Sequence, residues 1–150
     1  MADIKQKAFD HCRAFVVSRQ EAIAQAIGKI KESLVSETKS TAGDKHETGR
    51  AMLQLEREKL GRQLAEIKKL DAIIQRIDPS KTNGRVALGS LVVTDKAQYF
   101  IALSAGVVPG SVPPLYCVST QTPIGRSLLG KTVGERFVFN EIESVIKALE

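Results

Sequence analysis

Two Pro-free stretches, each about 30 residues long with apolar residues at helical spacing, constrain this chain more than any other feature. The first runs from Ile4 to about Leu34 and carries Phe9, Cys12 and Val16, then Ile23, Ile27, Ile30 and Leu34. Those last four step by four, three and four, the spacing of a heptad seam. The second runs from about Glu47 to Ile77, with Leu53, Leu60, Leu64, Ile67, Ile74 and Ile77 on one stripe, and Asp78-Pro79 stops it. Between them, residues 36–50 (SETKSTAGDKHETGR) are small and polar, with Gly43 placed to end the first helix. So short a connection makes the two helices pack antiparallel. At about 1.5 Å per residue each arm extends on the order of 45 Å.

After Pro79 the pattern changes. Asn83-Gly84 and Gly89 mark turns, and the periodicity predicts strands at 88–94, 98–104, 115–119, 136–139 and 142–146. A short helix is expected over 123–129, and Gly106, Pro109, Gly110, Pro113 and Pro114 are assigned to a loop. The fold class is therefore α+β. A long antiparallel helical hairpin, residues 1–79 with its tip near 36–50, precedes a small β-rich domain at 80–150.

Composition excludes several classes. No apolar run approaches the roughly 20 residues of a membrane span. The N-terminal MADIKQKAFDHCR lacks the apolar core of a secretory signal, so a cytoplasmic location is the default expectation. The net charge of +5 is spread along the chain, with 15 basic and 12 acidic residues through Ser80 and 7 and 5 beyond it. Mixed charge of this kind reads as a solvated face, not a basic tail. Cys12 and Cys117 have no CxxC neighbour and read as two isolated buried thiols. His11 precedes Cys12, but adjacent helical positions diverge by about 100°, which argues against a Cys-His nucleophile. No phosphate-cradling glycine motif is present, and no small-molecule substrate is implied.

The tip offers chemistry. Asp44 and Glu47 lie three apart, and two carboxylates so held supply part of an oxygen site for a hard cation such as Mg2+. The same residues make a D-x-x-E capping box, which periodicity alone favours. Both readings stay open on the residues themselves.

The string GDKHE, Gly43 to Glu47, resembles the hairpin tip of the bacterial Gre transcript elongation factors, whose GDxxE holds its Asp and Glu in this register. TPIGRSLLGKTVGERFVF, Thr122 to Phe139, is similar to that family's C-terminal run of Pro, Gly or Ala, Arg, two aliphatics, Gly-Lys and Val-Gly before a strand. The resemblance implies an FKBP-like β domain that docks on RNA polymerase, with Pro123, Arg126 and Lys131 as partner-binding candidates. It also implies a hairpin that enters the secondary channel. There Asp44 and Glu47 would act as catalytic and metal residues, sharing Mg2+ with the polymerase, which itself cleaves the backtracked RNA 3′ end. The factor would not be an enzyme in isolation.

The tip also departs from the motif. Thr48 and His46 stand where the family usually has Asn and Ser, and on the resemblance Lys39, Lys45 and Arg50 would bring cations near the nucleic acid. Two alternatives follow: a channel-binding regulator or inhibitor without cleavage stimulation, and a coiled-coil adaptor unrelated to polymerase. The FKBP-like label implies no prolyl isomerase, since seven aromatics and no Trp argue against a deep aromatic proline pocket. For Pro123 to Gly134 a purely structural role is the competing expectation: Pro123 at a helix start, Leu128 and Leu129 packed on the sheet, and Gly130 at the cap.

Overall fold

The computed structural model describes the backbone of residues 2–39 and 44–150 and the side chains of residues 4–36 and 48–150. A long helix pair is followed by a small mixed β-sheet domain: α1 (Ala2–Lys39), α2 (Asp44–Gln75), β1 (Leu91–Thr94), β2 (Gln98–Ala102), β3 (Gly106–Val107), β4 (Leu115–Ser119), α3 (Pro123–Leu128), β5 (Arg136–Phe139) and β6 (Ile142–Leu149). Both long helices exceed the sequence expectation, and only residues 40–43 separate them. Four residues span at most about 14 Å, against about 57 Å of α1, so α2 packs on α1 only by running back along it. The expected cap at Gly43 lies outside the described residues.

The compact units do not follow the composition boundary at 79/80. One comprises residues 1–15 with 71–150, the other residues 16–70, so the division cuts through α1 and α2.

In the 16–70 unit the heptad positions form the seam. Ile30, Leu60 and Ile67 are buried, while Ile23, Ile27, Leu34, Leu53 and Leu64 are half-buried. Two helices cover each other on one stripe and have no third surface to close the sides, so a partly wetted seam is the physical expectation for such a pair. Val35, Met52 and Leu55 lie off the seam and are exposed.

The other unit is built on a six-stranded sheet of order β3-β4-β2-β1-β6-β5. All pairs are antiparallel except β2 with β4, in which Gln98 opposes Leu115 and Ala102 opposes Ser119. Period-2 alternation sorts the side chains onto two faces. On one face Val92, Ile101, Phe137 and Ile146 join Val86 and the α3 residues Ile124 and Leu128 in a core cluster. The other face carries the row Leu91, Phe100, Cys117, in register across β1, β2 and β4. There the Cys117 thiol reaches the Ala8 carbonyl of α1 at 3.9 Å, and His11 Nε2 meets the Ala105 carbonyl at 2.9 Å. Each fully buried aliphatic of this size contributes about 1.5–3 kcal/mol, which is why the first turns of α1 group with the sheet.

α2 ends at Gln75 rather than Ile77. Arg76 N and Ile77 N donate to the carbonyls three residues back, at 3.1 Å each, and the Asp78 carboxylate then accepts from Ser80 N (3.0 Å) and Ser80 Oγ (2.6 Å), turning the chain at Pro79. β3 falls within the segment expected to be loop, and β6 extends past the expected end at Ile146 to Leu149. β5 and β6 join through Asn140 and Glu141, both at positive φ, a two-residue hairpin turn without the usual glycine.

Lys5 is buried, with Nζ donating to the Lys81 carbonyl. Burial pulls its pKa below the usual lysine value, against the opposing attraction of Glu150 and Asp78. A group whose folded pKa is depressed binds fewer protons in the native than in the unfolded state between the two pKa values, so native stability rises with pH across that alkaline window. Lys5→Met is expected to remove that rise. Urea midpoints measured from neutral pH to pH 10 should climb for the wild type relative to the variant, and parallel curves would show that Lys5 is not their source.

Candidate functional site

The best-defined candidate surface is built around α3. Thr122 is its N-cap, with extended φ/ψ of −74° and 157°. The Thr122 hydroxyl donates to the Ser119 carbonyl at 2.8 Å and accepts from Gly125 N at 3.2 Å, while Pro123 occupies the first turn, where no N–H is needed. Gly125 lies so close to β4 that a Cβ there would stand 2.0 Å from the Ser119 carbonyl oxygen. The helix ends at Leu129, followed by Gly130 at φ +81°, where a side chain would be strained.

The loop after α3 is tied down by backbone bonds. Gly130 N donates to Val86 O at 2.8 Å, Val86 N to Lys131 O at 2.7 Å, and Gly134, at φ +91°, to Ile146 O at 2.8 Å. Arg85 Nη1 adds a bond to Gly130 O at 3.0 Å and Thr132 Oγ1 one to Gly84 O at 2.9 Å. Positions 126 and 131 are thus presented from a fixed frame. Arg126 is exposed and Lys131 half-exposed, and neither head group has an ion-pair partner among the described residues. Pro123 sits at the opposite end of α3 and shapes its start.

Leu129, expected to pack, is 39% exposed. Its non-helical backbone (φ −52°, ψ 132°) turns it off the face that buries Leu128. With Val133 and Val138, also exposed, it adds apolar surface beside the cations, and Arg136 contributes a further cation bridged to Glu143 at 3.3 Å. Sequence reasoning missed Val133, Arg136 and Val138. The alternation along β5 that buries Phe137 is the signal that assigns its neighbours outward.

On the α3 side of the sheet, Tyr99, Tyr116 and Phe139 gather with Val118 and Ile124 around an open groove of about 440 Å3. The two tyrosine rings stack with centroids 5.9 Å apart. Three of the seven aromatics therefore share one site, which the composition argument against an aromatic pocket did not anticipate.

The second candidate site is the helix reversal. Lys39 is the last residue of α1, Asp44 the first and Lys45 the second residue of α2, and Glu47 falls in the same first turn. The side chains of Lys39, Asp44, Lys45 and Glu47 lie outside the described residues. Arg50 follows within α2 and is exposed. The start of α2 favours anionic groups through its unpaired N–H groups and dipole. Among the described residues no three His, Cys, Asp or Glu side chains assemble a metal-ligating group. Among them, too, no helix is long and apolar enough to cross a membrane.

The structure also corrects the reading of the cysteines as isolated. Cys12 and Cys117 are both free and buried, and the Cys117 thiol lies 3.9 Å from the Ala8 carbonyl, on the turn of α1 that leads to Cys12.

No protein-family model matches the chain, and no curated protein does. Among solved structures it is similar to the transcription factor Gfh1, with 15% sequence identity and a TM-score of 0.35 over 95% of this chain and 92% of that one.

Proposed function

We propose that this chain is an RNA polymerase-binding transcript elongation factor of Gre type, acting on backtracked complexes. The observation that carries the reading is the position of GDKHE. Its Asp44 and Glu47 fall in the first turn of α2, directly after the reversal of a long helix pair. An extended pair of helices presents its reversal to a partner and encloses no substrate. Support also comes from the second resembling string, which forms α3 with Arg126 and the loop with Lys131, cations without an ion-pair partner among the described residues, beside exposed Leu129 and Val133. That mixture of apolar and charged surface suits docking on a protein.

In the proposed roles the α3 surface docks on polymerase and the helix reversal reaches the RNA 3′ end. Asp44 and Glu47 add two oxygen donors to a Mg2+ site that polymerase ligands complete. Mg2+ bound there would activate a water and offset charge on the phosphodiester. Lys39, Lys45 and Arg50 act on the RNA phosphates electrostatically. Hydrolysis remains the polymerase's own reaction, and the factor alone is inert. Cations this close to the carboxylates also weaken Mg2+ recruitment, and on that ground the second reading is a channel-binding regulator that leaves cleavage unchanged.

The test is a transcript-cleavage assay on stalled, backtracked elongation complexes with Mg2+ and the purified chain, with binding measured in the same complexes. Shortened RNA that can be re-extended is the expected result. Binding without cleavage would move the function to the regulator, and absence of binding would remove polymerase from the account.

A further inference from the structure

The cysteine pair is unused by the proposed function, and its setting is specific. Cys12 is fully buried in the third turn of α1, and Cys117 is 2% exposed at the centre of β4. The Cys117 Sγ lies 3.9 Å from the carbonyl of Ala8, the residue one helical turn before Cys12, so the thiol sits against the turn that carries its partner. Cys117 faces α1 because its register partner Phe100 and its neighbour Leu115 share that buried face. The Cys117 thiol is a single donor, with the Ala8 carbonyl 3.9 Å away and Cys12 one turn further along α1. Donation to Cys12 holds that thiol below the usual range, while Cys117 is pushed up by the same bond and by burial. Cys12 is therefore the sulfur that reacts first.

We propose that Cys12 and Cys117 form a reversible intramolecular disulfide under peroxide, a covalent clamp between the first turns of α1 and β4. The Cys12 thiolate attacks one oxygen of hydrogen peroxide, giving a sulfenic acid and releasing the other oxygen as water after protonation. The Cys117 sulfur then displaces the sulfenic hydroxyl as a second water, and the S–S bond closes. The two sulfurs lose two electrons and peroxide gains them. A dithiol reductant reverses the step. Burial makes the reaction slow, because peroxide enters only when the α1 turns open locally. It also protects Cys12 from further oxidation, since its resolving thiol is already in place. The clamp closes a loop of over 100 residues, the case in which a cross-link most restricts the unfolded chain.

The full-length chain is treated with hydrogen peroxide, then denatured, alkylated and analysed by intact mass and non-reducing peptide mapping. The expected product is a monomer lighter by two hydrogens, with no alkylatable thiol, a peptide joining Cys12 to Cys117, and a melting temperature several degrees above the reduced form. Dithiothreitol should restore both thiols and the lower temperature. Cys12→Ala and Cys117→Ala should each remain without an intramolecular cross-link, and their circular dichroism shows whether they fold. Retention of both thiols in native protein, cross-links only between chains, or over-oxidation of Cys12 without bridging would each overturn the proposal. None of these readouts depends on polymerase.

Discussion

Asp44→Asn combined with Glu47→Gln is expected to reduce transcript cleavage on backtracked complexes on the order of 100-fold while leaving polymerase binding unchanged. The substitutions keep side-chain size and replace anionic oxygen donors by neutral amides, which bind a hard divalent ion poorly. They also remove two negative charges from the first turn of α2, at a cost of about 0.3–1 kcal/mol each through the helix dipole, too little to unfold a 32-residue helix. The single variant Asp44→Asn separates the two readings of the tip. Asn caps a helix as well as Asp does, so a residue that only caps would tolerate it with stability and activity intact. A metal donor would tolerate it in stability alone. Full cleavage by the double variant would sink the proposed role of these carboxylates.

Elements with local signals are legible in this sequence, and those made by tertiary packing are not. β4 and β5 were legible to the residue because turn residues bound them and their alternation is unbroken. α3 was legible from Pro123 and Gly130, which mark a start and a stop by their backbone restrictions alone. β3 was not, since it has two residues, one of them Gly106 at φ +76°, and exists only through its pairing with β4. β6 was cut short because its register with β1 shifts between Val93 and Thr94, which breaks the period-2 pattern near Ile146. α1 runs past its expected end and α2 starts before its expected beginning because small polar residues predict a loop there, although nothing in 36–39 or 44–46 forbids a helix. The neighbours Cys12 and Cys117, or Tyr99 and Tyr116, were beyond reach. The tyrosines meet through sheet register and the cysteines through the packing of α1 on β4, both between segments far apart in the chain. For the same reason the compact units cut α1 and α2 where composition shows no change, since the ends of these helices are assigned by what they pack on.

Gly125→Ala should have the largest effect on stability, and its sign is decided by competition between two terms. In a helix, Ala is favoured over Gly by about 1 kcal/mol, so propensity alone makes the substitution stabilising. Against this, the added methyl would lie 2.0 Å from the Ser119 carbonyl oxygen and 3.0 Å from its carbon, both backbone atoms. The carbonyl cannot swing aside cheaply, because it is the acceptor that holds the Thr122 hydroxyl at 2.8 Å and so fixes the cap of α3. Relief requires moving α3 off β4, which unseats Ile124 and Leu128 from the core cluster. Overpacking of this kind costs about 3 kcal/mol or more and overrides propensity. For a unit of this size that corresponds to a melting temperature lower by on the order of 10–20 °C. Gly61→Ala supplies the contrast: this α2 glycine is exposed with nothing within 4 Å of the added carbon, so the propensity term acts alone and stability should rise by about 1 kcal/mol. Denaturant titration of both variants checks the pair. If Gly125→Ala also gained stability, the close seating of α3 on β4 would be wrong, and with it the fixed presentation of Arg126 and Lys131. If it loses stability as expected, polymerase binding should weaken in parallel while the residues of the helix reversal are untouched.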